Sequence, residues 1–97
     1  MSSKEKVFKA IKDNIVMIKS YSVSSIAVFG SFVNGAPDKK SDVDVLVDFK
    51  HPTFKNYFGL KEGLEKAIGR RVDLLCRDAI KPSVKKSILS EAEWVIK

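Results

Sequence analysis

Residues 41–49 read Ser41-Asp42-Val43-Asp44-Val45-Leu46-Val47-Asp48-Phe49, and their alternation decides the fold. Val43, Val45, Val47 and Phe49 fall on one side of an extended chain, and Asp42, Asp44, Leu46 and Asp48 on the other, because successive strand residues point to opposite faces. The pattern predicts a strand with one face committed to a core. Upstream, Ser25-Ile26-Ala27-Val28-Phe29 is a short apolar run ended by Gly30, which predicts a buried strand too short to be a full helix. Downstream, Arg71-Val72-Asp73-Leu74-Leu75-Cys76 repeats the strand pattern with a carboxylate inside it.

Helical spacing fills the intervals. From Ser2 to about Tyr21, the apolar residues Val7, Phe8, Ile11, Ile15 and Ile18 recur at three- and four-residue steps, with Ser2 and Glu5 set as a capping box. Ser31 to Asn34 suits one helical turn, and Gly35-Ala36-Pro37-Asp38-Lys39-Lys40 is loop chemistry. Pro52 and Thr53 open a helix through Ile68 with Gly69 as its C-cap. Phe54, Tyr57, Phe58, Leu64 and Ile68 are expected on its core side. Pro82 starts a last helix to about Leu89, after which Trp94 and Val95 pack the C-terminus onto the core. This order predicts an α/β (α+β) fold, a small mixed β-sheet with helices packed against it, in one domain over residues 1–97.

Ninety-seven residues suffice for one core and no second domain. The hydrophobic share of 44% and charged share of 31% are globular rather than disordered proportions. No apolar run approaches the ~20 residues of a membrane span, and MSSKEKVFKA lacks the apolar centre of a signal peptide. With a lone cysteine, Cys76, no internal disulfide is possible, so a cytoplasmic location is expected. The net charge of +6, with doublets at Lys39-Lys40, Arg70-Arg71 and Lys85-Lys86, favours polyanions such as a triphosphate, RNA or an acidic protein. No RNA-binding signature or stacking platform is recognisable, which argues against direct nucleic-acid binding.

The carboxylates carry the chemical signal. Asp42 and Asp44 leave one strand face about 7 Å apart, and Asp73 joins them if its strand pairs alongside at about 4.8 Å. Asp48, about 13 Å further along, falls outside this cluster. Three carboxylates so gathered repel one another, raise carboxylate pKa values and call for bound cations. Mg²⁺ takes carboxylates together with water and phosphate oxygens. Gly30-Ser31 completes the set: a strand that ends in glycine and turns into a helix offers backbone N–H groups to a phosphate, and the Ser31 hydroxyl adds a donor. Taken singly, each feature has a plainer reading as a turn, a solvated strand face or an ion pair with Arg70 and Arg71. Their joint spacing favours metal-assisted phosphoryl or nucleotidyl transfer. His51 is expected at a surface turn, and Cys76 as a small core residue.

Val28-Phe29-Gly30-Ser31-Phe32-Val33-Asn34-Gly35 followed by Ser41-Asp42-Val43-Asp44-Val45-Leu46-Val47 resembles the signature of the DNA polymerase β nucleotidyltransferase superfamily. Tyr57-Phe58-Gly59-Leu60-Lys61-Glu62, Gly69-Arg70-Arg71-Val72-Asp73-Leu74 and Lys81-Pro82 extend the likeness to the minimal nucleotidyltransferases, antitoxins paired with HEPN ribonuclease toxins. The resemblance implies Asp42, Asp44 and Asp73 as ligands of two Mg²⁺ ions, with Asp73 also assisting deprotonation of the acceptor. It places Gly30 and Ser31 on the triphosphate of ATP, and a hydroxyl of a HEPN toxin as the acceptor of AMP. One departure is visible: Phe32 and Asn34 stand where the family commonly has arginines suited to phosphate or partner contact. A slower transfer is therefore expected. The competing readings are an antitoxin that neutralises by contact alone and a small basic nucleic-acid binder.

Overall fold

The computed structural model describes residues 2–35, 37–38 and 40–97. Helix α1 (Ser3–Asp13) opens on the expected capping box, in which Glu5 N–H donates to Ser2 Oγ (3.1 Å) and Ser2 N–H to Glu5 Oε1 (3.3 Å). The single helix expected to Tyr21 is instead two. Asn14 breaks it by turning its side-chain amide back onto the Ala10 carbonyl (2.8 Å), and α2 (Ile15–Ser20) restarts beyond. Strand β1 (Val23–Phe29), the single-turn helix α3 (Ser31–Asn34) and strand β2 (Val43–Phe49) follow. Of the loop expected over 35–40, Ala36 and Lys39 lie outside the described residues. The Thr53 hydroxyl caps α4 (Phe54–Ile68) by accepting from Asn56 N–H, and Gly69 ends it in the left-handed conformation. Strand β3 (Val72–Cys76), a 3-10 turn (Arg77–Ala79), α5 (Pro82–Glu91) and β4 (Glu93–Ile96) complete the chain.

The four strands form one sheet in the order β3-β2-β1-β4. The β1–β2 and β1–β4 pairs are antiparallel, whereas β2 and β3 are parallel and joined through α4. The C-terminal segment expected merely to pack on the core is therefore a strand, with Trp94 opposite Ala27.

One sheet face carries the main core. Val43, Val45 and Val47 of β2 lie fully buried beside Ile26, Val28, Val72 and Leu74, under Val7, Ile11, Ile18, Leu60 and Leu64 of the helices. Burial of each such side chain contributes on the order of 2 kcal/mol. The opposite face buries a smaller cluster of Ala27, Leu46 and Ile80 beneath Ile88, Leu89 and Trp94. Helix α4 meets α2 closely: a Cβ on Gly59 would run into the Tyr21 ring. Its aromatic set divides, contrary to the sequence expectation. Tyr57 packs on the core, while Phe54 and Phe58 are 83% and 58% exposed and stack on each other. At about 100° per residue Phe58 turns away from the stripe set by Tyr57, Leu60, Leu64 and Ile68, and Phe54 occupies the first turn, beyond the packed stretch. Among the described residues no helix is long and apolar enough to cross a membrane.

Candidate active site

The fold brings the singled-out carboxylates to one corner of the sheet. Asp44 and Asp73 are paired positions of the parallel β2–β3 ladder, and Asp44 is also paired with Phe29, the last residue of β1 before Gly30. All three strand ends therefore meet at Asp44. Asp42, just ahead of β2, and Asp73 are exposed, whereas Asp44 is half-buried. Its alternation partner Val43 anchors the main core, so the carboxylate must emerge on the α5 side of the sheet.

Gly30 and Asp44 fit each other. Gly30 has φ +76°, a conformation that disfavours residues with a Cβ, and a Cβ there would collide with Asp44 Oδ2. The strand end thus leaves room for a carboxylate directly against its backbone. Beyond it, α3 starts at Ser31, with Val33 and Asn34 N–H groups bonded back to the Gly30 carbonyl (both 3.0 Å).

Asp44 has its pKa raised, first by burial and then by the neighbouring carboxylates of Asp73, Asp42 and Glu91. These three name the charge that surrounds it. Glu91, in the last turn of α5, is absent from the sequence reading. Its Oε1 accepts the Gly30 N–H at 3.3 Å, which brings a fourth carboxylate to the corner. Only the return of the chain through β4 beside β1 puts it there, and no spacing in the sequence signals that pairing.

Asp48 stands apart, as its distance along the strand implied. Its Oδ2 takes a hydrogen bond from Ser25 Oγ (3.0 Å) and pairs with Arg77 (3.3 Å). Asp73 forms no such pair with Arg70, whose Nη1 donates to the Asp38 and Ser41 carbonyls (3.0 and 3.2 Å) and whose guanidinium lies 5.0 Å over the Phe32 ring. Phe32 itself is 1% exposed, within the main core. Position 32 here is a packing position, and the arginine stacked on it arrives from the start of β3.

The remaining candidates have structural surroundings. His51 is exposed on the turn after β2, its N–H on Ser22 Oγ (3.0 Å) and its carbonyl accepting from the Asn56 amide (2.8 Å). Cys76 is half-buried at the end of β3, and burial, then Asp78 and Asp48, push its thiol pKa up, which disfavours the reactive thiolate. Tyr57 donates its hydroxyl to the Leu74 carbonyl (2.7 Å). Phe54, Tyr57 and Phe58 line an apolar cavity of about 280 Å³ with Phe49 and Cys76, at the far ends of β2 and β3. Five strand residues, about 16 Å, separate Phe49 from Asp44, but Tyr57 reaches closer to the carboxylates: its hydroxyl lies on the carbonyl of Leu74, next to Asp73, and burial, then Cys76 and Asp73, raise its pKa.

Among the described residues, no three carboxylate, imidazole or thiol groups are already closed around one point. Mg²⁺ does not require that, since it binds through one or two carboxylates and completes its shell with water and substrate phosphates. An oxygen-only donor set, a half-buried carboxylate with a raised pKa and a backbone shaped around it fit such an ion.

The chain is similar to known proteins. Residues 5–95 match the family model described as nucleotidyltransferase domain. The chain is 41% identical over 76 residues, 77% of each protein, to the protein adenylyltransferase MntA of Thermococcus cleftensis. Its structure is similar, with a TM-score of 0.83 and 28% identity over 96% of this chain and 95% of the other, to a protein provisionally described as a minimal nucleotidyltransferase. A complex of the tri-AMPylated HEPN toxin of Shewanella oneidensis with an MNT antitoxin shares the fold, with a TM-score of 0.59 and 19% identity over 96% of this chain and 68% of that one.

Proposed function

The chain belongs to the nucleotidyltransferase domain family, and from that premise we propose that it moves AMP from ATP onto a hydroxyl of a partner protein, a HEPN-type toxin that it silences as the antitoxin. The observation that carries this reading is the fit of Asp44 against Gly30, in register with Asp73: a carboxylate pair beside a strand end that accepts no side chain.

Asp42, Asp44 and Asp73 would hold two Mg²⁺ ions, which when bound neutralise the triphosphate and favour in-line displacement at its α-phosphorus. The chain's own contributions follow from position. The Ser31 hydroxyl and Ser31 N–H would bind the phosphates of the leaving side where the chain turns at Gly30, whose own N–H is held by Glu91. Asp73, exposed on the edge strand, accepts the proton of the attacking hydroxyl. Gly30 keeps the space against the Asp44 carboxylate free of a side chain. The acceptor is a hydroxyl of the partner protein, and a complex of a HEPN toxin with an MNT antitoxin shares this chain's fold.

Neutralisation by contact alone is the second reading, and the absence of arginine at positions 32 and 34 favours it. Calorimetry with ATP, with and without Mg²⁺, tests the first. Binding that requires the metal and disappears in Asp42→Asn supports transfer, whereas equal affinity without metal rejects it.

A further inference from the structure

Strand β4 runs antiparallel to β1, with Ala27 opposite Trp94 and Val28 opposite Glu93. Continued by two residues, that register would set Gly30 opposite Glu91. The ladder stops short of this point, because Glu91 still belongs to α5 and Gly30 has left the strand at φ +76°. The Glu91 side chain takes the place of the missing ladder partner: its Oε1 accepts the Gly30 N–H at 3.3 Å. A backbone N–H at a strand end has to find such an acceptor or be left to water.

Gly30 thus stands between two carboxylates with different tasks. Asp44 Oδ2 fills the space where a Cβ would be, and Glu91 holds the N–H. The turn they enclose decides where the next residue goes. Ser31 opens α3 directly after Gly30, so the directions of its N–H and hydroxyl follow from the Gly30 backbone angles. Glycine is the residue least able to keep such angles unaided, since it lacks the Cβ that restricts other residues. The restraint on this glycine comes from a side chain 61 positions further along the chain.

We propose that Glu91 is a positioning residue for nucleotidyl transfer: by accepting the Gly30 N–H it fixes the turn that aims Ser31 at the leaving phosphates and seats Gly30 against Asp44. It acts as a hydrogen-bond acceptor of the right reach, and its negative charge is secondary. The inference rests on the proposed function for the reaction that Glu91 serves, whereas the restraint on Gly30 is independent of it.

Three variants of the full chain separate reach from charge. Glu91→Gln keeps an acceptor oxygen at the same reach without the charge, Glu91→Asp keeps the charge but is one methylene shorter, and Glu91→Ala keeps neither. Each is followed by hydrogen exchange of the Gly30 amide by NMR in the metal-free protein, and by single-turnover transfer from ATP to the HEPN toxin at saturating Mg²⁺. Wild type and Glu91→Gln should protect the Gly30 amide, and Glu91→Asp and Glu91→Ala should lose about tenfold of that protection. In the latter two the maximal rate should fall at least about tenfold, with the half-saturating ATP concentration changed by less than about threefold, because misplacement acts on the reacting geometry more than on donor binding. Glu91→Gln should stay within about threefold of the wild-type rate. Unchanged protection of the Gly30 amide in Glu91→Ala overturns the proposal. So does a Glu91→Gln variant as slow as Glu91→Ala, which would make the charge the working property, or tighter Mg-ATP binding in Glu91→Ala, which would show Glu91 competing with the donor for the Gly30 N–H. A wild type that transfers nothing overturns the transferase reading, and the amide exchange still decides whether Glu91 restrains Gly30.

Discussion

The two faces of β2 are built from alternate residues of one segment and answer to different demands. Val43, Val45 and Val47 are fully buried in the main core, where helices cover them on the far side. Asp44 and Asp48, on the other face, flank a single buried Leu46 that belongs to a much smaller cluster. The first face is dry and closely packed; the second is partly wet and crowded with negative charge near its start. A strand can therefore hold a reactive carboxylate rigidly without placing it in the core, because the neighbouring valine bears the packing. On the proposed function, changes to the valines are expected to affect stability and changes to the carboxylates to affect chemistry, and each exception locates a residue that joins them.

Gly30→Ala is the sharpest way to break the separation. The new methyl group meets Asp44 Oδ2 at a positive φ, so both properties fail together. Backbone strain costs about 1–3 kcal/mol, and displacement of the carboxylate lowers transfer by at least about 100-fold. Chemical denaturation and single-turnover assays read the two losses. Val45→Ala should act on stability alone, with a cost of about 2–3 kcal/mol and a fall in Tm of about 10–20 °C for a domain of this size. Transfer per folded molecule stays unchanged, and a selective loss of transfer would show that the core face is not independent.

A smaller effect concerns pH. Burial and the adjacent carboxylates raise the pKa of Asp44 in the folded, metal-free protein, so the fold favours its protonated form. That contribution is present at low pH and is lost as pH rises through the folded pKa. Asp44→Asn should therefore raise the Tm of the metal-free protein at neutral pH, and the gain should shrink as the pH is lowered. Scanning calorimetry over pH checks the sign; a variant less stable than wild type at neutral pH contradicts it.

Much of this division is legible in residues 41–49, whose alternation alone assigns valines and aspartates to opposite faces. The caps at Ser2, Thr53 and Gly69 are equally local, since each is satisfied by residues within one turn. What is not legible depends on distant pairing. Strand β4 is four residues long, directly follows a helix and has no alternating burial, so only its partner β1 makes it a strand. Glu91 enters the site through that same return. The Arg70–Phe32 stack is hidden for a similar reason, as nothing near position 32 announces a guanidinium 38 positions later. The exposure of Phe58 follows from helix phase and that of Phe54 from its place in the first turn, neither of which residue type reveals.

Glu91→Gln refines the comparison with the smallest expected change. Glutamine retains an oxygen to accept the Gly30 N–H but removes one of the charges that raise the Asp44 pKa. A partly solvated charge is worth about 0.2–1 kcal/mol, so Mn²⁺ affinity should fall by no more than about fivefold. The Asp44 pKa should move down, with little change in stability. Titration by NMR follows the carboxyl directly.

The central claim, that the carboxylate face of β2 and β3 transfers nucleotide, is tested most directly by intact-mass spectrometry of the partner toxin co-expressed with this chain. Wild type should add the mass of AMP to the toxin, whereas Asp44→Asn and Asp73→Asn, each folded, should leave it unmodified and active. A toxin that stays unmodified and is nevertheless neutralised by all three proteins would contradict the account.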